Sequence, residues 1–305
     1  MNKKNLLEEI LDFIQHDTIK IYGKIGKQII KYLKPAGEED EYTLDWINSS
    51  KIDGQEIAEN SKAKVIIATK TVKYSTILSE KNKVLIIVEN PKLVIAHVGN
   101  HYFFKKPKIG IDISAIINSN ATIGSNVYIG ANCTIGNCEI GDNSLIYPNV
   151  TIFDQVKIGQ NVIIQSGARI GTNGLGCQRL ENGELYEFPQ LGGVIIKSNV
   201  YIGSNCHITC GALSNTIIGN GCKINGLSFI GGNCVLGDNV WITGSTMLAG
   251  SVTIGNNTTI FSKVVIRDKK TIGENVTIAM GSVVTKDIPD NELWAGVPAK
   301  QMVRK

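Results

Sequence analysis

The sequence predicts a mainly β protein: a left-handed parallel β-helix of hexapeptide repeats preceded by an N-terminal α/β domain. Three observations predict it. An aliphatic residue returns at every sixth position through most of residues 114–284. Glycine is frequent, 32 of 305 residues, while aromatics make up only 6%. The first 106 residues lack the period and carry helix-like and strand-like patterns instead.

The period is explicit. Ile117, Ile123, Ile129 and Ile135 are six apart; after one dropped residue, Ile140, Ile146, Ile152, Ile158, Ile164 and Ile170 resume it. Ile196, Ile202 and Ile208 follow a break, and after a four-residue insertion the spacing runs from Ile218 to Ile278, with Leu236 and Leu248 among its members. Self-similarity at this period is the signature of a hexapeptide solenoid, in which three short strands make one triangular coil. A core of Ile, Val and small residues suits such a narrow prism. Gly or Asn at the turns would tolerate positive φ. The residue two before each aliphatic should also face inward, because strand side chains alternate. Val127, Val150, Val162 and Val240 sit there, as do Cys133, Cys138, Cys206, Cys222 and Cys234. These cysteines read as small core fillers. None of the seven forms a CxxC pair, so no zinc or redox motif is expected, and no metal.

Net charge is +4 with signs mixed and no long basic run, which argues against nucleic acid as a partner. No apolar run reaches the ~18 residues of a membrane span, so no stable membrane insertion is expected. The acids in MNKKNLLEEILDFIQHD do not fit a signal peptide, and a cytoplasmic location follows by default.

Two interruptions mark the repeat. GTNGLGCQRLENGELYEFPQLGG (171–193) is polar and Gly-rich and leaves the period intact on either side. Such an insertion maps to a loop on one face, often the binding face. Asn173, Gly174 and Tyr186 within it are candidate sugar-binding residues. The second interruption, CGALSNT (210–216), should widen one corner.

Before the coils, Leu6, Leu7, Ile10, Leu11 and Ile14 have helical spacing, and Asn5 with Glu8 resembles a capping box. VIIAT (65–69) and VLIIVE (84–89) read as buried strands. In LDWINSSKI (44–52), Trp46 has the chemistry to stack a base, with Asn48, Ser49 and Lys51 to read its edge or reach phosphate; a structural tryptophan is the plain alternative. The expected organisation is a nucleotide-recognition domain (1–106), a β-helix (107–284) and a tail (285–305) over the acyl-carrier site. Pro289 and Pro298 interrupt any helix in that tail. Lys286, Lys300, Arg304 and Lys305 make its end positive, suited to a phosphorylated carrier.

Three segments together resemble the UDP-3-O-acylglucosamine N-acyltransferases of lipid A biosynthesis. They are VENPKLVIAHV followed by GIDISAIINSNATIG, then GTNGLG…NGELYEFPQLGGVII, then ITCGALSNTIIGNG. The ordered combination extends over nearly the whole chain. The resemblance implies a homotrimer with active sites between neighbouring coils and a nucleotide held by the N-terminal domain. Trp46 stands where that family has its uridine-binding Phe, Ser49 (beside Asn48) where it has Asn, and Ile52 where it has Tyr. The chain departs from the family in FIGGNCVLG, where Gly232 occupies the catalytic His position. Lys269 lies near a second family His, and Asn225 replaces the Asp that supports the first. The ending AGVPAK resembles coenzyme-A-dependent hexapeptide acetyltransferases. That likeness implies acetyl-CoA or another acyl-CoA as co-substrate, with Gly244, Ala279, Lys286, Lys300 and Arg304 assigned to it, and no permanently bound cofactor. The hybrid resembles sugar acyltransferases of surface-polysaccharide pathways.

Acyl transfer from a thioester needs a neutral nucleophile, an oxyanion donor and proton removal. Of the four histidines (16, 97, 101 and 207), only His207 lies in the coils, one residue before Ile208 and so pointing outward. His207, with Asn225, is the candidate catalytic pair. Without the family histidine, an amine acceptor is favoured over a hydroxyl, because an amine with pKa near ~8 is partly neutral at physiological pH. The expected function is N-acyl transfer, acetyl in the first instance, to a nucleotide-linked amino sugar. Two other readings remain: sugar O-acetylation with His207 as base, and a non-catalytic nucleotide-sugar binder.

Overall fold

The computed structural model describes residues 6–26, 28–48 and 52–303. The chain divides into two compact units, residues 1–106 and 107–305.

In the first unit, helix α1 (Leu6–Phe13) buries Leu7 and Ile10, with Ile14 just beyond its end, as the helical spacing requires. Asn5, the expected cap, lies outside the described residues. A four-stranded sheet follows, β1 (Thr18–Tyr22), β2 (Leu44–Trp46), β3 (Val65–Ala68) and β4 (Val84–Val88), in the order β1-β4-β3-β2. β2, β3 and β4 are parallel and β1 runs antiparallel to β4. The central β3 and β4 are apolar throughout because every residue is buried, the pattern of a sheet covered on both faces. Helices α2 (Gly54–Asn60) and α3 (Thr76–Glu80) form the crossovers, and α4 (Pro91–Val98) follows, capped by Asn90 accepting from the Leu93 amide. Lys83, only 2% exposed, donates to the carbonyls of Ala58 (2.8 Å) and Ser61 at the end of α2. Its burial pulls the ammonium pKa down to about 8.

The second unit is the β-helix. Its strands, mostly two or three residues long, stack into sheets of eight, eleven and nine. Residues in equivalent places of successive coils pair in parallel, as Ile140 with Ile158, Ile158 with Ile196 and Ile196 with Ile218. Ile129 to Ile278, Val150, Val162 and Val240 form one continuous core, joined by the five cysteines. The thiols of Cys133, Cys222 and Cys234 each donate to a carbonyl one coil further on, at 3.1 Å. Burial raises Cys222 and Cys234 to about 11, which keeps them protonated and unreactive.

The turns divide the labour between two residue types. The third residue after the inward aliphatic takes the left-handed conformation, usually as Asn: Asn126 (φ 57°), Asn132 (56°), Asn143 (59°), Asn161 (56°). The glycine directly after the aliphatic is there for a different reason. Gly141 is absent from the positive-φ residues, yet a Cβ on it would sit 2.6 Å from the carbonyl carbon and oxygen of Gly159 in the next coil. So glycine provides room for stacking and asparagine provides the bend. Leu227 (φ 60°) is the outlier, a bulky side chain in a conformation that costs such residues ~1–2 kcal/mol.

All the interruptions fall on one edge, where the chain passes from the nine-stranded to the eight-stranded sheet. The dropped residue lies between Ile135 and Ile140, the long loop between Ile170 and Ile196, and the widened corner between Ile208 and Ile218. The last two are packed together: Leu191 and Gly192 amides donate to Ala212 and Gly211 carbonyls (2.6 and 3.0 Å), and Gly193 to the Asn215 side chain (2.9 Å). The corner widens because it must meet the root of the loop. The loop itself is a hairpin, with Gly176–Arg179 antiparallel to Leu185–Phe188. In the tail, Leu293–Ala295 adds to the eleven-stranded sheet in parallel and Lys300–Met302 returns antiparallel, with a cis Val297–Pro298 bond between.

Gly141→Ala should therefore lower stability by about 1–3 kcal/mol, as overpacking does, and by more than Asn143→Ala at ~1 kcal/mol. Asn143→Gly should be close to neutral. Thermal and chemical denaturation of the three variants would order them; the reverse order would show that conformation outweighs stacking room.

Candidate active site and nucleotide cavity

His207 opens the strand His207–Thr209 of the nine-stranded sheet and lies on its outer face between Arg169 of the preceding coil and Phe229 of the next. Its ring meets the Phe229 ring edge-on, centroids 5.3 Å apart. Its Nε2 is hydrogen-bonded to the hydroxyl of Thr172. That contact depends on a bulge: pairing goes from Ile170 with Ile208 directly to Thr172 with Thr209, skipping Gly171. Gly171 has φ +90°, and a Cβ there would sit 2.6 Å from Val156 Cγ2, so glycine is required on both counts. The bulge re-aims the Thr172 side chain, a common use of bulges beside functional groups. Partial burial, reinforced by the positive charge of Arg169, holds the His207 pKa below its ordinary value. The imidazole is thus neutral at neutral pH and able to accept a proton.

Asn225 is exposed one coil further on, at the edge between the eleven- and nine-stranded sheets. Its side-chain oxygen accepts from the Gly226 amide (2.8 Å), and its carbonyl from Cys206 Sγ (3.2 Å) and Ser228 Oγ (2.9 Å). The hydrogen bond of His207 goes to Thr172 and not to Asn225. At Gly232, where the resemblance puts a histidine, a Cβ would lie 2.5 Å from the Cys210 carbonyl oxygen. Lys269 is an exposed turn residue with φ 57°.

Gly171 and Asn173, the two chain neighbours of Thr172, line a cavity of about 310 Å³ on the interrupted edge, with Asp154, Gln155, Gln190 and Cys210. The Cys210 thiol donates to Asn173 Oδ1 at 3.7 Å. Gly174 lies against Gln190, where a Cβ would be 3.1 Å from its side-chain oxygen. Tyr186 pairs with Gln178 on the hairpin, is 69% exposed, and is not part of the cavity lining.

The residues assigned to the acyl carrier are spread. Gly244 (φ +107°) and Ala279 occupy the same edge as Asn225, and the Ala279 amide donates to the Trp294 carbonyl (2.9 Å). Lys286 is exposed on the interrupted edge and Lys300 on the returning tail strand. Arg304 lies outside the described residues, as do Ser49 and Lys51 of the nucleotide set.

The N-terminal unit has a cavity of about 720 Å³. Trp46, Ile47 and Asn48 at the end of β2 form part of its wall, with Lys34, Gly37, Asp53 and Asn60 among the rest. The carboxylate of Asp45 also lines it, accepting from Ser61 Oγ (2.6 Å) and the Trp46 amide (2.8 Å). Burial raises the Asp45 pKa against the opposing pull of those two bonds. Sequence reasoning marked Trp46 and Asn48 but missed Asp45, whose position before an aromatic in a short strand carries no signal of burial. It also missed Thr172, which only the bulge brings to His207.

By its repeat and its stacked sheets the chain is a hexapeptide β-helix, and residues 137–172 match the family described as bacterial transferase hexapeptide (six repeats). Residues 271–286 match the hexapeptide repeat of succinyl-transferase. Among curated proteins the chain is similar to the UDP-3-O-acylglucosamine N-acyltransferase of Coxiella burnetii, 47% identical over 88 residues (29% of this chain, 26% of that protein). It is also similar to that of Polynucleobacter asymbioticus, 31% identical over 168 residues, or 47% of each chain. These matches span between about a quarter and a half of the relatives' length, less than the chain-long resemblance expected from the motifs. Among solved structures, the UDP-N-acetylglucosamine O-acyltransferase of Moraxella catarrhalis is similar, with TM-score 0.56, 26% identity, and 63% of this chain and 73% of that one covered.

Reinstating a histidine at Gly232 should not create a base. Gly232→His, and already Gly232→Ala, should lower the melting temperature by displacing the Cys210 carbonyl. A Gly232→His protein as stable as the parent would show that the corner can yield.

Proposed function

We propose that the protein is an N-acyltransferase that moves an acyl group, acetyl from coenzyme A, to the amine of a nucleotide-linked amino sugar. In this reading the cavity around Trp46 recognises the nucleotide, acyl transfer takes place on the outer face at His207, and Asn173 is a sugar-binding residue. The curated and structural relatives, named for transfer to UDP-glucosamine derivatives, support the substrate class. The AGVPAK ending supports coenzyme A over a carrier protein, and the unusual site supports a role in surface-polysaccharide assembly, carried out in the cytoplasm by a homotrimer.

The observation that carries the choice of an amine is the similarity to proteins named UDP-3-O-acylglucosamine N-acyltransferase, with His207, partly buried and hydrogen-bonded to Thr172, as the candidate base. The amine lone pair attacks the thioester carbonyl, a C–N bond forms and the C–S bond breaks. The nitrogen that attacked becomes strongly acidic, so a weak base suffices to take its proton, which then passes to the leaving thiolate. A hydroxyl acceptor would need its proton taken as it attacks. O-acylation remains the second reading because the Moraxella neighbour is named for it. Incubation with acetyl-CoA, or with an acyl-carrier-protein thioester, and a panel of nucleotide-linked amino and hydroxy sugars separates the two by product. No thiol release with any amino sugar would reject the proposal.

Besides the limb at ~8 where the acceptor amine itself protonates, kcat/KM should show a second acid limb below the ordinary histidine value of about 6.5, because protonation of His207 removes the base and its folded-state pKa is lowered. His207→Ala should abolish that limb; its persistence would assign the base elsewhere. Trp46→Ala should raise KM for the nucleotide sugar roughly tenfold or more, given that base stacking contributes ~1–3 kcal/mol. It should leave kcat nearly unchanged.

A further inference from the structure

We propose that Thr172 is a positioning residue that fixes which ring nitrogen of His207 is basic, an inference that rests on His207 being the base of the proposed transfer. Thr172 is the second residue of the inserted segment and the last of the strand Arg169–Thr172, and its hydroxyl meets His207 Nε2. It is held from two sides. The skipped Gly171 turns it outward, and its carbonyl accepts the Cys210 amide at 2.9 Å from the widened corner. The edge of the Phe229 ring blocks the imidazole from tilting away.

A hydroxyl oxygen fixed at Nε2 can accept from Nε2–H in both protonation states. With the hydroxyl in the accepting role the neutral ring carries its proton on Nε2 and Nδ1 keeps the lone pair; in the donating role the two nitrogens exchange, so the role of the hydroxyl sets the tautomer. When Nδ1 takes a proton, the Nε2–H bond is already made and the ring need not reorient. The imidazolium is supported by that oxygen against Arg169, the charged group facing the ring from the preceding coil; Phe229 and Thr172 bring no charge. Because Gly171 and Asn173 line the 310 Å³ cavity, the group that orients the base is continuous with the wall of the candidate acceptor site.

The test uses the full-length protein, selectively labelled with ¹⁵N-histidine, as parent, Thr172→Val and Thr172→Ser. Nitrogen shifts report the His207 tautomer and its titration without any turnover, and a His207→Gln control assigns the signal. The parent and Thr172→Ser should show the Nε2–H form above pH 7. Thr172→Val should show a mixture and a lower pKa, since the imidazolium loses its acceptor. In turnover, Thr172→Val should lose about tenfold in kcat with KM little changed and move the acid limb to lower pH, with Thr172→Ser restoring both. An unchanged tautomer and pKa in Thr172→Val would overturn the assignment even where acyl transfer is active. A tautomer governed by Thr172 in a protein inert toward every thioester would instead overturn the transfer reading while upholding the hold of Thr172 on the ring.

Discussion

Backbone hydrogen bonding from each coil to the next, in one unchanging register, is the constraint to which everything in the C-terminal unit answers. It requires that equivalent residues stack at about 4.8 Å, which leaves no space for a side chain at Gly141, Gly203 or Gly255. It turns most of the regular corners through a left-handed residue, most often Asn. It also fills the prism with repeated columns of Ile, Val and Cys, whose thiols satisfy carbonyls that the narrow interior would otherwise leave with fewer partners.

Much of this was legible in the sequence because period and register are the same information. Ile218 to Ile278 read as one unbroken period and stand as three parallel columns, one in each sheet, with Ile218 stacked on Leu236. The chemistry of the turns was only half legible: Gly and Asn both suggest positive φ, and only the approach of Gly159 to Gly141 shows that the two have separate duties. In the N-terminal unit β3 and β4 were visible because burial on both faces makes them uniformly apolar. β1, with only partial burial, the three-residue β2 and the short helices α2 to α4 were not, since five to eight residues offer too few turns for a clear helical period. At the site, His207 could be placed outward from its neighbour Ile208, but its partner could not. Thr172 lies 35 positions away in sequence and reaches the ring only because one glycine drops out of the ladder.

The site is thus assembled where the repeat is broken. The bulge, the loop root and the widened corner each violate the six-residue rule, and each touches the next: Gly171 precedes Thr172, Thr172 binds Cys210, and Gly211 binds Gly192. Regular coils on both sides absorb the cost of these departures. The same corner that lines the cavity also approaches Gly232, where a Cβ would lie 2.5 Å from the Cys210 carbonyl oxygen.

Because Ile158 pairs with Ile196 across the whole of the inserted segment as smoothly as with Ile140 on its other side, that segment behaves as an exchangeable cassette. Its length and content can diverge without disturbing the scaffold that carries it. The load of folding stays with the untouched rungs on either side of that seam.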